Sequence, residues 1–337
     1  MGMLSDFLLH RRAPSDPDRE TRIRDAVARV LAMNPRLKSA RRHEARLAQS
    51  LKTALSYTDD LVASLPPVRD ANAEAWSLDP VMRSFFATPG DLAQAFSRSE
   101  ALRALFERDA GLTDAYAVLG MALTERHILG VALEGDSIRH DVPQTTLCFS
   151  DHRVRICGSS EKALRTEIGS RLIDQLALAG FERLAANRRD LANQSRALVD
   201  KRIALLESRG AGLRDVVGEP AITAPDELAR VQTEIENNSR ALAKLRVPEQ
   251  SLELELECVC NVFQNPADHL HMKSRHVRID SMNVVQAPDS KAGTNIEFHF
   301  ARIPGKRATI RSFVLVRFPR RELLPGGLVI DAAMQAL

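Results

Sequence analysis

The stretch DELARVQTEIENNSRALAKLR, residues 226–246, decides how the chain is read. Leu228, Val231, Ile235, Asn238, Leu242 and Leu245 fall there at alternating spacings of three and four. That spacing is the seam of a helix that needs a partner to bury it. Upstream, Leu184, Leu191, Leu198 and Leu205 recur every seven residues. Two such stripes, joined by a linker with Gly210, Gly212, Gly218 and Pro220, predict an antiparallel helical hairpin, a coiled coil over residues 183–246. Asn238 is the one polar residue in the seam of the second arm, and a buried amide costs energy unless it is hydrogen-bonded. Coiled coils use such a residue to fix register. The sequence therefore assigns Asn238 a polar partner among Asn193, Gln194 and Ser195 on the opposing arm.

Outward from the hairpin the pattern changes to sheet on both sides. Helix is expected over Ser159–Glu207, interrupted at Gly180, with a broad apolar face before the glycine and a narrow one after it. Before that helix, Ala115–Leu123, Ile128–Leu133, Thr145–Ser150 and Arg153–Cys157 read as strands. A two-residue turn at Asp151-His152 sets Phe149 opposite Val154 and Leu147 opposite Ile156, with apolar pairs on one face. After the hairpin, Leu252–Cys260 alternates strictly and is expected to be a strand. Arg275–Val285, Asn295–Ile303 and Ala308–Phe318 complete a second antiparallel set. A loop at Pro304-Gly305-Lys306 sets Phe300 opposite Ile310 and Ile296 opposite Val314.

The N-terminal third is helical in pattern. Residues 1–20 read as a flexible tail, followed by helices over Thr21–Met33 and Arg36–Leu65. Thr88-Pro89 caps a short helix, and Ser97 to Glu100 spells a capping box before another. Trp76–Phe86 is the apolar patch expected to dock these helices. The expected fold class is α+β. Its regions are N-terminal helices (21–110), an antiparallel sheet body (111–158 plus 251–324), an inserted hairpin (159–250) and a C-terminal segment (325–337).

Composition narrows the partners. The 337 residues are 44% hydrophobic and 27% charged, ordinary for a chain with a sizeable core. Aromatics are only 4%, too few to build stacking platforms for bases or sugars. The net charge of +3 does not by itself imply a polyanionic partner. The ends are more basic: Met1–Arg46 holds 11 Lys and Arg against 6 Asp and Glu, and Leu270–Arg321 holds 11 against 3. A basic N-terminal helix carrying Arg41, Arg42, Arg46 and Lys52 thus keeps non-specific nucleic-acid binding in view. Four cysteines do not make a disulfide framework, and no apolar run approaches the ~18 residues that span a bilayer. With no signal-peptide pattern at the N-terminus, the expectation is a cytoplasmic protein without membrane contact.

The residue types that carry chemistry are few. Cys258, Cys260, Asp268, His269, His271 and His276 are zinc ligands by type. Their Cys-x-Cys and His-x-His spacings depart from those of known zinc sites, and the cysteines continue the face of Leu252, Leu254 and Leu256, so they read as core. Cys148 and Cys157 lie on a polar face beside Arg153 and Arg155, where a cation can lower a thiol pKa and His127, His140 and His152 are the bases nearest in sequence; the favoured reading is instead that the N-terminal helices cover this face and Arg153 meets a carboxylate there. Glu253, Glu255 and Glu257, with His276, Arg278, His299, Arg302, Arg311 and Arg317, suit cross-strand ion pairs, or an anion-binding face as the sharper alternative. Phosphate loops, nucleophile elbows, HExxH, GxGxxG and paired CxxC motifs are missing, and no cofactor or catalytic residue is assigned. The chain reads as a non-enzymatic interaction or assembly protein, acting by self-association or by gripping another helical protein. Nucleic-acid binding, and an enzyme with a site on the polar sheet face, are the alternatives.

Overall fold

A computed structural model describes residues 16–134, 137–208, 225–287, 290, 293–303 and 309–325. The fold is α+β, as expected. The chain divides into two compact units, one of residues up to Tyr57 with Ile173–His269, the other of Thr58–Leu172 with Leu270 onward. The boundary passes through two helices, so these units cut the chain differently from the regions expected of it.

The second unit holds the sheet. Strands β2 (Asp114–Glu134), β3 (Ser137–Gly158), β4 (Met272–Ile279), β5 (Thr294–Ile303) and β6 (Thr309–Pro319) lie in the order β3-β2-β6-β5-β4, all antiparallel. The two-residue β1 (Arg69–Asp70) joins β6 in parallel at Val316 and Arg317, beyond the end of the β5 pairing. The four strands expected between 115 and 157 are two long ones. Asp151-His152 does not reverse the chain. Asp151 has φ +51° and sits in a bulge, where β3 gains residues against Met121 of β2. Phe149 therefore pairs with Leu123 and Val154 with Leu119, in place of each other.

Beyond Met121, β2 leaves β6 and, among the described residues, pairs only with β3. The β5–β6 register differs from expectation by two residues: Phe300 opposes Ser312 and His299 opposes Phe313. A shift of two preserves which side chains face the core, so alternation alone cannot detect it. The loop at Pro304-Gly305-Lys306 lies outside the described residues.

Residues 283–286 tie the two edges of the sheet together. Leu147 N donates to Asn283 O and Val285 N to Thr145 O, while Gln286 N donates to Arg278 O on β4. One face of the sheet carries the main core. Ala117, Leu119, Val154, Phe298, Val316 and Phe318 meet Phe85, Phe86, Phe96 and Leu102 of the short helices α4 (Pro80–Phe85), α5 (Pro89–Ser97) and α6 (Glu100–Arg108). Phe96 stacks on Phe318 with ring centroids 4.8 Å apart. Trp76, on α3 (Ala73–Leu78), donates its indole N–H to Phe86 O at 2.8 Å, so the Trp76–Phe86 patch docks these helices on the sheet. Thr88 caps α5 with a capping box closed by Asp91. The cap of α6 is Ser99, two residues beyond the expected Ser97. Ser97 Oγ instead accepts from Leu324 N.

On the opposite face Leu164 and Ile168 pack with Val62 and Leu65 over Val118, Phe313 and Leu315. Arg165 donates to the carbonyls of Val62 and Pro66 at the end of α2 (His43–Ala63), where a cation complements the helix terminus.

The first unit is helical. It contains α1 (Asp16–Met33), the first part of α2, the part of α7 (Glu161–Ser208) beyond Ile173, α8 (Pro225–Arg246) and α9 (Pro248–Gln264). Helix α1 begins five residues before Thr21, so Asp16–Glu20 are helical, and the helix expected over 36–65 is broken by a 3-10 turn at Pro35–Ser39. Two larger corrections concern α7 and α9. Gly180 does not interrupt α7, which runs through it unbroken for 48 residues. Leu252–Cys260 is helix, with Leu256, Val259, Cys260, Val262 and Phe263 buried. Their offsets of three and four follow the helical period, and Pro248 opens the helix at a position where its missing N–H costs nothing.

Candidate interaction surface

The two arms predicted from the heptads pair antiparallel. Arg188 donates to Leu245 O at 2.9 Å, Asn238 Nδ2 to Leu191 O at 3.0 Å, and Lys201 meets Glu227 at 3.3 Å. Residue numbers rise along α7 as they fall along α8. Val231, Asn238 and Leu245 are buried at intervals of seven on α8, and Leu184 and Leu198, two heptads apart, on α7. The other apolar heptad positions, Leu191, Leu205, Leu228, Ile235 and Leu242, are only half-buried. Val199 and Ile203 on α7 are exposed outright. The linker at the tip lies outside the described residues.

Asn238 is 6% exposed and takes a backbone carbonyl as its partner instead of a polar side chain of the opposing arm. Its Oδ1 is buried with no hydrogen-bond partner among the described residues. An unmatched acceptor in a seam is expensive, so this amide comes at a cost in stability.

Helix α9 adds a third wall that sequence reasoning missed. A groove of about 430 Å3 runs between α7, α8 and α9. Leu184, Leu191, Leu245 and Leu254 give it an apolar floor, with Arg240 and Lys244 exposed along one side. Gly180 lets α9 approach α7: a Cβ there would lie 2.7 Å from Val259 Cα. On its other side α9 meets the start of α2. Glu253 accepts from Arg41 N and from the Arg46 guanidinium, both at 2.6 Å. The Arg41 N–H first, then Arg46, hold the Glu253 carboxyl below the usual carboxylate range. Of the expected basic stripe only Arg46 commits its guanidinium to this carboxylate; Arg41 binds it through the backbone, which leaves the side chains of Arg41, Arg42 and Lys52 exposed.

The chemistry-bearing residues do not converge. Cys258, Cys260, Asp268 and His269 belong to the first unit, and His271 and His276 to the second. Among the described residues, no three His, Cys, Asp or Glu side chains come together where a metal ion could be held. Cys260 is buried and Cys258 half-buried, and burial raises both thiol pKa values. Arg153 meets the Asp151 carboxylate at 2.6 Å, and the Cys157 thiol is not activated. Desolvation pushes it up to about 12, because it packs against the core in place of facing a cation. His127 hydrogen-bonds to Thr145, His152 stacks on Phe86 at 4.6 Å, and His140 is exposed.

Several basic residues on the sheet have partners. Arg311 pairs with Asp151, Arg317 with Asp70, Arg278 with Asn295, and His276 lies opposite Glu297, which also neighbours His299. Cross-strand pairing accounts for this face, although Glu253, Glu255 and Glu257 belong to α9. The Arg302 side chain lies outside the described residues. No helix among the described residues is long and apolar enough to cross a membrane. In comparison with known proteins, no family model matches the chain, and no curated protein or solved structure matches it.

Proposed function

We propose that the chain is a non-enzymatic, cytoplasmic interaction or assembly protein whose working surface is the α7–α8 hairpin, a coiled coil completed by a partner helix. One observation carries this reading. The seam buries Leu184, Leu198, Val231, Asn238 and Leu245, yet leaves Leu191, Leu228, Ile235 and Leu242 half-open, and Val199 and Ile203 on α7 are exposed. An apolar heptad stripe that its own hairpin only half covers is a surface for a further helix. The apolar groove beside α9 extends that surface, and all four cysteines are free, as a reducing compartment leaves them.

The test is site-specific photo-crosslinking of the full chain in its host cytoplasm. A photo-reactive residue at Ile203 or Lys244 should yield discrete higher-mass adducts, whereas one at Arg108 on α6 should not. Adducts from position 108 alone, or none from the hairpin, would remove the proposal.

A further inference from the structure

We propose that the groove side of this hairpin is covered by a second copy of the chain, with α8 of one copy packed antiparallel on α8 of the other about a two-fold axis near Asn237. This rests on the reading of the hairpin as an interaction element and names its occupant. The charge along α8 is divided in two. From Asp226 to Glu236 it carries Asp226, Glu227, Glu234 and Glu236 against Arg230 alone, and from Asn237 to Arg246 it carries Arg240, Lys244 and Arg246 with no acid. A helix polarised in this way repels a parallel copy of itself and attracts an antiparallel one, since the acidic half of each then meets the basic half of the other.

The residues at the centre are available for such pairing. Arg230, Glu234, Asn237, Ala241 and Lys244 recur at spacings of three and four, so they share one face of α8, and all but the half-buried Ala241 are exposed. Arg240, adjoining that face, has no hydrogen-bond or ion-pair partner among the described residues, and neither have Glu234 and Lys244. In a two-fold pairing centred on Asn237, Glu234 of each copy lies opposite Arg240 of the other, which gives the contact twice. Arg230 then lies opposite Lys244 at each end. That repulsion is weak where solvent reaches it and is offset by Glu234, one turn along from Arg230. The same placement lays the stems of Thr233 and Glu234 over the apolar groove beside Arg240 and Lys244, so each copy covers the other's floor.

Charge exchange tests this with the full chain. Sedimentation equilibrium between 1 and 200 μM should show a wild-type dimer whose dissociation constant rises at least tenfold between 50 and 500 mM salt. R240E and E234K should each be monomeric over that range, with helicity unchanged by circular dichroism because the altered residues are exposed. An equimolar mixture of the two variants, one acidic along α8 and the other basic, should restore the dimer. A wild-type chain that stays monomeric, or a mixture that does, overturns the inference. A photo-crosslinked adduct from Lys244 holding only a different protein overturns it too, while leaving the interaction role of the hairpin standing.

Discussion

Gly180 and Val259 touch backbone to backbone: a Cβ on Gly180 would stand 2.7 Å from Val259 Cα and 2.8 Å from its Cγ2. Both residues are helical, and Gly is used here because nothing larger fits between α7 and α9. Ala in a helix ordinarily stabilises by about 1 kcal/mol over Gly, but here the crowding dominates. Gly180→Ala should lower the unfolding free energy by about 1–3 kcal/mol. Gly169→Ala, on the same helix and 3.8 Å from Val62 Cγ2, should leave stability equal or slightly higher. Denaturant midpoints of the two variants decide it, and equal midpoints would mean that the crossing has room to relax.

His152 makes stability depend on pH. Burial lowers its pKa, and Arg311 adds to the shift; a backbone hydrogen bond to Phe85 and the charges of Asp151 and Asp91 partly oppose it. Its Nε2 is buried without a partner. With the folded value below the unfolded 6.5, the unfolded chain binds the proton first. Stability is therefore complete above that pH and is lost as pH falls through it towards the folded value. Between pH 7.5 and 5.5 the unfolding free energy should decline, before Asp and Glu begin to contribute. His152→Phe keeps the stack on Phe86 and should make the decline shallower. His269 and His299, lowered in the same direction, supply what remains. An unchanged slope in the variant would show that His152 does not titrate there.

Asn238→Leu should raise the melting temperature and lose selectivity of assembly. The substitution removes an unmatched acceptor and one hydrogen bond to Leu191 O, a net gain of about 1 kcal/mol. Without the amide, registers that would have stranded it become accessible. Additional species on size-exclusion chromatography, with a higher melting temperature, are the expected pair of results. A single unchanged peak would remove the register role.

The cysteines should differ in reactivity by position. With its pKa near 12, about one in ten thousand Cys157 thiols is ionised at pH 8. Cys258 and Cys260 are held up by burial as well. In the folded protein these three should resist iodoacetamide at pH 8 for as long as the chain stays folded, as read by mass spectrometry of the peptides. Rapid labelling of Cys157 would contradict its burial. Cys260→Ala should cost about 1–3 kcal/mol, and Cys258→Ala less, since Cys258 is only half-buried.

The heptads were legible because spacing of three and four admits one structure at that length, and Leu184, Leu198, Val231, Asn238 and Leu245 are buried as the pattern requires. Residues 252–260 misled because Leu-Glu repeats satisfy two periods at once. The strand period is visible in the leucines alone; the helical one emerges only when Val259, Cys260 and Phe263 are counted with Leu252 and Leu256. Glu favours helix over strand, and that propensity was the signal to use. Asp151 misled differently. A left-handed residue serves a turn or a bulge equally, and only the partner strand, too distant in sequence to be read, decides between them. The groove was invisible for the same reason, since its third wall is the segment taken for a strand.

The sheet is assembled from opposite ends of the chain, and this sets the order of events during synthesis. Ala115 pairs with Phe318 and Met121 with Ser312, about two hundred residues apart, and Asn283 must reach back to Leu147 before the edges are tied. A ribosome that has released β2 and β3 has not yet made β6, the second strand that β2 will meet. The β2–β3 ribbon must therefore wait, with one edge open, while all of α7, α8 and α9 is synthesised. Those helices need only local contacts and form early. By folding first they shorten the span that β4–β6 must close, so the long insertion slows sheet formation far less than an unstructured loop of its length. Its helical character is thus a kinetic asset, and mutations that melt it should appear first as aggregation of nascent chains.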